Sequence, residues 1–254
     1  MFHRLFSRPS WRMTVALVTA GFAVLLPLAH MGVFRDWYNF LFYWTLDLAF
    51  LPVQVLLVTV ILERVLGERE RQAKMHKMNM VIGAFFSEVG VEAIRRISGF
   101  CGDMSDFQHH LAVGLHWGGP EYQAAARFAK ANACHFEHDS EMLAELREFL
   151  LCKREFVLQL LQNPNLLEHD RFTDLLWALC HLIEELGARR DVSSLPGADV
   201  EHLKGDMRRA FNLLVMEWLN YMEHLKTSYP YMYSLAVRTN PFNPDARVVF
   251  GEKG

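Results

Sequence analysis

Twelve histidines in 254 residues, several of them about one helical turn from a carboxylate, are the side chains in this sequence best suited to chemistry. His135, His138, Glu141 and Glu145 stand at offsets of 0, 3, 6 and 10, close to a single stripe on a helix. His181 with Glu184 or Glu185 makes a second group, and Glu217, Tyr221 and His224, at offsets of 0, 4 and 7, a third. Imidazoles and carboxylates converging from facing helices hold iron or manganese in helical bundles, and zinc accepts the same donors. His135, His138, Glu141, His181, Glu184, Glu217 and His224 are therefore the candidate metal ligands, for iron, manganese or zinc.

Their order argues for a blander reading. The bundle pattern that holds two irons needs Glu-x-x-His on two helices, and the chain contains no Glu-x-x-His and no His-x-x-x-His. Asp139 or Ser140 is well placed to cap a helix running from Glu141, and Glu168, His169 and Asp170 follow Asn163-Pro164-Asn165 where another helix should begin. Solvated faces and caps are thus preferred over a metal centre.

Other catalytic patterns are absent. There is no Gly-x-Ser-x-Gly, no His-Glu-x-x-His and no Gly-x-x-x-x-Gly-Lys. Cys134-His135 and Cys180-His181 are sequence neighbours, so on a helix they diverge by about 100° and form no nucleophile and base pair. Cys101, Cys134, Cys152 and Cys180 show no Cys-x-x-Cys spacing and read as free, half-buried thiols. A non-enzymatic role is favoured.

The elements that must position these residues begin with two apolar stretches, Trp11 to Phe34 and Trp37 to Leu62, separated only by Arg35 and Asp36. Each exceeds the ~20 residues needed to cross a hydrocarbon core. Arg4, Arg8 and Arg12 lie at the start of the first stretch, and Arg64, Arg69, Arg71, Lys74 and Lys77 follow the second. The positive-inside bias then predicts an inner (cytoplasmic) membrane protein with both termini and the bulk domain cytoplasmic. A cleaved signal peptide fits less well, because the first run is long, lacks a small-x-small site and is followed at once by a second. Within the stretches, Asp47 and His30 are the polar residues to explain. Asp47 falls about 15 Å along the helix from the turn and His30 only about 6 Å, so they are not expected to pair.

The rest reads as helix. Breaks at Gly118-Gly119-Pro120, Asn163-Pro164-Asn165, Ser193 to Gly197 and Tyr229-Pro230 delimit helices over Phe107 to Trp117, Glu121 to Gln162 as one or two, Arg171 to Gly187, Asp199 to Ser228 and Tyr231 to Thr239. The expected organisation is a basic start (1–10), spans at 11–34 and 37–62, a juxtamembrane stalk helix (63–98), a cytosolic bundle (99–239) and a C-terminal tail (240–254). The stalk carries the apolar seam Met75, Met78, Ile82, Phe85 and Val89, suited to the domain core or to a dimer.

The fold class is therefore all-α, an N-terminal two-helix transmembrane hairpin followed by a cytosolic helical bundle. The expected function is a membrane-anchored interaction, scaffold or regulatory module. The alternatives are a tethered bundle with a carboxylate and histidine metal or redox site, and an oligomeric two-span pore gated by the cytosolic domain. Expected partners are the bilayer and a protein partner or second copy; the apolar run from Asn79 to Gly90 and the aromatic-rich run from Tyr229 to Phe242 read first as core, and otherwise offer Phe85, Phe86, Tyr231 and Tyr233 as interaction surface. The net charge of −3 argues against nucleic acid.

Overall fold

The computed structural model describes residues 11–164, 166 and 169–247. Among them every regular element is a helix, and the only β pairing is an isolated bridge between Cys101 and Phe136. The chain divides into two compact units at Glu70/Arg71.

The first unit holds α1 (Trp11–Phe34) and the first part of α2 (Trp37–Phe85). Both are long and apolar enough to cross a membrane by length and composition. Pro27 and Pro52 lie inside them without ending either helix. Between them Arg35 takes a left-handed φ of 48°, and Asp36 receives the Asn39 backbone N–H at 3.3 Å and its side-chain amide at 2.6 Å, which starts α2. The His30 ring lies 6.0 Å from that of Phe40 across this turn. Beyond it the two helices do not pack along their lengths, and their apolar side chains stay exposed. The expected tight hairpin is thus not formed by side-chain packing.

The second unit is built around α8 (Gly197–Ser228). Phe211, Leu214, Val215, Trp218, Leu219 and Met222 form its expected apolar face, and all are buried. α7 (Asp170–Ala188) packs against it with Leu175, Leu176, Leu179, Leu182, Ile183 and Leu186, also all buried. α6 (Ser140–Leu161) lies against α7, while α5 (Gly119–Ala131), α3 (Val91–Ser98) and α9 (Pro230–Arg238) meet α8. α4 (Ser105–Leu111) is shorter than its expected span to Trp117. Caps fall where side chains can supply them: Asp139 accepts from the Glu141 and Met142 N–H groups at 2.9 and 3.0 Å, and His169 Nδ1 accepts from the Phe172 N–H at 3.1 Å.

One open alternative is decided and two expectations need correction. The stretch from Glu121 to Gln162 is two helices, because residues 132–139 leave helical geometry to pair with 100–102. There the Glu137 N–H donates to the Phe100 carbonyl at 2.8 Å, and Cys101 and Cys134 join in a disulfide with Cα atoms 5.7 Å apart. Only Cys152 and Cys180 are free thiols. The supposed tail is partly core: Phe242 is buried with its ring 5.3 Å from Trp218, and the buried Asn240 amide donates to the Leu111 carbonyl at 2.9 Å. The described residues end at Arg247, so the rest of the expected tail, 248–254, falls outside them.

The stalk expectation is also modified. α2 runs to Phe85, a π turn covers Phe86–Gly90, and α3 continues to Ser98. Met78, Ile82, Phe85 and Val89 enter the core while Met75 stays exposed, so most of the seam is used within this chain. The extra residue in the π turn lets consecutive Phe85 and Phe86 both be buried, which a regular helix with 100° per residue disfavours. Gly90 is required there, because a Cβ at this position would lie 2.4 Å from Phe86 Cδ1 and 2.9 Å from Phe85 Cε1. At Gly205 in α8 nothing lies within 4 Å of such an atom. Chemical denaturation of the full-length protein should therefore show opposite signs: Gly90→Ala destabilises by about 1–3 kcal/mol through overpacking, whereas Gly205→Ala stabilises by up to about 1 kcal/mol through helix propensity.

Candidate functional site

The candidate ligands expected from sequence do not converge. His135, His138, Glu141 and Glu184 are exposed, and Glu217 and His224 lie two turns apart in α8 without a shared centre. His224 instead exchanges a hydrogen bond with the Asn79 amide, Nδ2 to Nδ1 3.2 Å. Only His181 joins a cluster, and its neighbours there, His202 and Asp206, were not anticipated.

That cluster is built by two facing helices. α7 presents His181 and, one turn on, Glu185; α8 presents His202 and, one turn on, Asp206. His181 Nε2 lies 3.3 Å and His202 Nε2 3.4 Å from the same oxygen, Asp206 Oδ2. Asp206 is 5% exposed, and Oδ2 is buried with no hydrogen-bond partner. The imidazoles, by contrast, reach solvent, at 43% and 53% exposure. Glu185 Oε2 stands 3.6 Å from His202 Nε2 but is held by Arg189 at 2.6 Å, and Arg189 also reaches Asp199 at 3.2 Å. The Arg189 hydrogen bond keeps the Glu185 carboxyl below its usual pKa. Arg209 approaches the other Asp206 oxygen, Oδ1, at 3.8 Å.

A second feature is an apolar groove between the end of α2, the π turn, α8 and α9. It comprises two adjoining cavities of about 190 and 380 Å³ that share Gly83, Ser87, Tyr221, Leu225 and Met232. The Tyr221 ring stacks on Phe86 at 5.0 Å. Of the four residues expected to form an interaction surface, Phe85, Phe86 and Tyr233 belong to the core, with Phe86 also lining the groove, while Tyr231 is exposed. Tyr233 is fixed by accepting from the Tyr122 hydroxyl at 2.9 Å and donating to the Gly114 carbonyl at 2.7 Å, and burial raises the pKa of both phenols. In the first unit, Asp47 and His30 are exposed, and no ion pair engages Asp47 among the described residues.

Glu217 is the other buried carboxylate. Burial raises its pKa, opposed by the nearby His169 and Arg171 charges and by a 3.1 Å hydrogen bond from the Asn220 amide. The folded state therefore binds the proton more tightly than the unfolded chain, whose ordinary value is 4.5, so stability falls as pH rises above that value through the raised one. Glu217→Gln removes this penalty. In thermal melts the variant should gain stability over the parent at pH 8 relative to pH 4, and an equal difference at both would contradict a buried, titrating Glu217.

Comparison with known proteins divides the chain at nearly the same place as the structure does. The profile described as "Uncharacterized protein MJ1433, C-terminal helical domain" matches residues 74–238, and that described as "MJ1433, N-terminal helical domain" matches residues 6–66. The uncharacterized protein MJ1433 of Methanocaldococcus jannaschii is 37% identical over 239 residues, which cover 94% of this chain and 96% of that protein. No solved structure matches.

Proposed function

This chain belongs to the MJ1433 family of proteins with an N-terminal and a C-terminal helical domain, and we propose that it is a membrane-anchored helical module that acts by binding a protein partner. The observation that carries this reading is the exposed apolar surface of α1 and of α2 up to Arg69. Phe22, Leu25, Leu26, Leu56 and Leu57 are each at least 60% exposed, and the spans are 22 and 33 residues long. At roughly 25 cal/mol per Å² of apolar surface, leaving such helices in water is strongly unfavourable, and a bilayer removes that cost. Arginines and lysines flanking both spans favour an inner-membrane placement with the termini and the bundle on the cytoplasmic side. The Cys101–Cys134 disulfide pulls the other way, since such bonds persist mainly in oxidising compartments, which makes topology directly informative.

The groove supports binding as the activity. Met80, Tyr231, Met232 and Leu235 are exposed in or beside it, and flexible methionines with aromatic neighbours suit an apolar segment of a partner. In fractionation, the full-length protein should sediment with membranes and be released by detergent but not by alkaline carbonate. A reporter fused to its C-terminus should be active only in the cytoplasm. Recovery in the soluble fraction, or a reporter active only outside, would overturn the anchored, cytoplasmic arrangement. A protein that copurifies under mild extraction should be lost on Met232→Asp, and retention of the same protein by that variant would remove the groove as its site.

A further inference from the structure

We infer that His181, His202 and Asp206 form a binding site for a divalent transition-metal ion of the zinc class. The inference concerns the second unit alone and does not depend on membrane anchoring. Its foundation is the Asp206 carboxylate, 5% exposed, whose Oδ2 is buried without a hydrogen-bond partner. A buried carboxylate oxygen in this state is costly unless a cation or a donor meets it. Arg209 meets the opposite oxygen at 3.8 Å and Arg189 is committed to Glu185 and Asp199, so among the described residues the groups that face Oδ2 are the two imidazoles, themselves metal-ligating side chains.

The spacing of the donors fits an ion. Two donors each about 2.0–2.1 Å from a tetrahedral zinc lie about 3.3 Å from one another. The observed separations from Asp206 Oδ2 are 3.3 Å to His181 Nε2 and 3.4 Å to His202 Nε2, and the three donor atoms all lie within 4.8 Å of each other. Calcium and magnesium favour all-oxygen shells, whereas two imidazoles with one carboxylate suit zinc, iron(II) or cobalt(II). The carboxylate anchors the base of the site from within the core, and the half-exposed imidazoles open it toward solvent, which gives an ion both an entry path and a free coordination position. Two His-x-x-x-carboxylate pairs, His181 with Glu185 and His202 with Asp206, face each other across α7 and α8. Only Asp206 of the two carboxylates is free to ligate, because Arg189 holds Glu185.

The test uses the full-length protein in detergent, stripped with a chelator and titrated with Zn²⁺ and separately with Co²⁺. The parent should take up a single saturable equivalent of Zn²⁺, and the Co²⁺ form should show the ligand-field absorption of a low-coordinate nitrogen and oxygen site. Zn²⁺ should raise its melting temperature, because an ion that binds only the folded state stabilises it. His202→Ala and Asp206→Asn should each weaken binding by about 100-fold or more and abolish the melting shift, while His138→Ala leaves both unchanged. His202 is half-exposed, so its variant keeps the fold and serves as the decisive one should Asp206→Asn unfold. Absence of saturable uptake by the parent, or equal affinity in the parent and His202→Ala, would overturn the site.

Discussion

Apolar surface must leave water, and the two units of this chain meet that constraint in opposite ways. In the second unit the apolar side chains turn inward on α8, whose Phe211, Leu214 and Trp218 lie at no more than 1% exposure. In the first unit equally apolar helices find no internal partner, and their side chains face outward along nearly the whole length of α1 and of α2 up to Arg69. The proposal of a bilayer anchor follows from this contrast rather than from hydropathy alone, since a core helix would pass the same length and composition test but would be buried.

Both candidate sites are consequences of how α8 is covered. α7 packs against α8 and brings His181 to the turn that carries His202 and Asp206. The end of α2, the π turn and α9 lie along its second half and leave the groove beside Tyr221 and Leu225. The chain after α9 is tied to the same core by Phe242 and Asn240. A single central helix thus holds a polar cluster toward one end and an apolar recess toward the other.

Much of the bundle was legible because helix periodicity is a local property. The inward faces of α7 and α8, the cap at Asp139 and the breaks at Pro120, Pro196 and Pro230 all follow from spacing and from the chemistry of single residues. What was not legible depends on contacts between distant segments. Spacing along one helix pairs His181 with Glu184 or Glu185, whereas its neighbours in the cluster come from the register between α7 and α8. The matched spacing of His181 to Glu185 and of His202 to Asp206 was the available signal. The excursion at 132–139 contains no glycine or proline, and it is stabilised by the remote partners Phe100 and Cys101, so no local pattern announced it. A regular helix does not bury consecutive residues such as Phe85 and Phe86 equally well; Gly90, which makes room for the π turn, was the clue that both could enter the core.

The central claim is that the outward apolar faces of the first unit are solvated by lipid while the exposed residues of the bundle are solvated by water. Spin labels at Leu25→Cys and Leu57→Cys, compared with Trp177→Cys on the exposed side of α7, test it directly in a Cys152→Ser background reconstituted into bilayers. The account predicts that the first two relax with dissolved oxygen and are shielded from a water-soluble nickel chelate, with Trp177→Cys showing the reverse. Ready access of the chelate to Leu25→Cys and Leu57→Cys would contradict it.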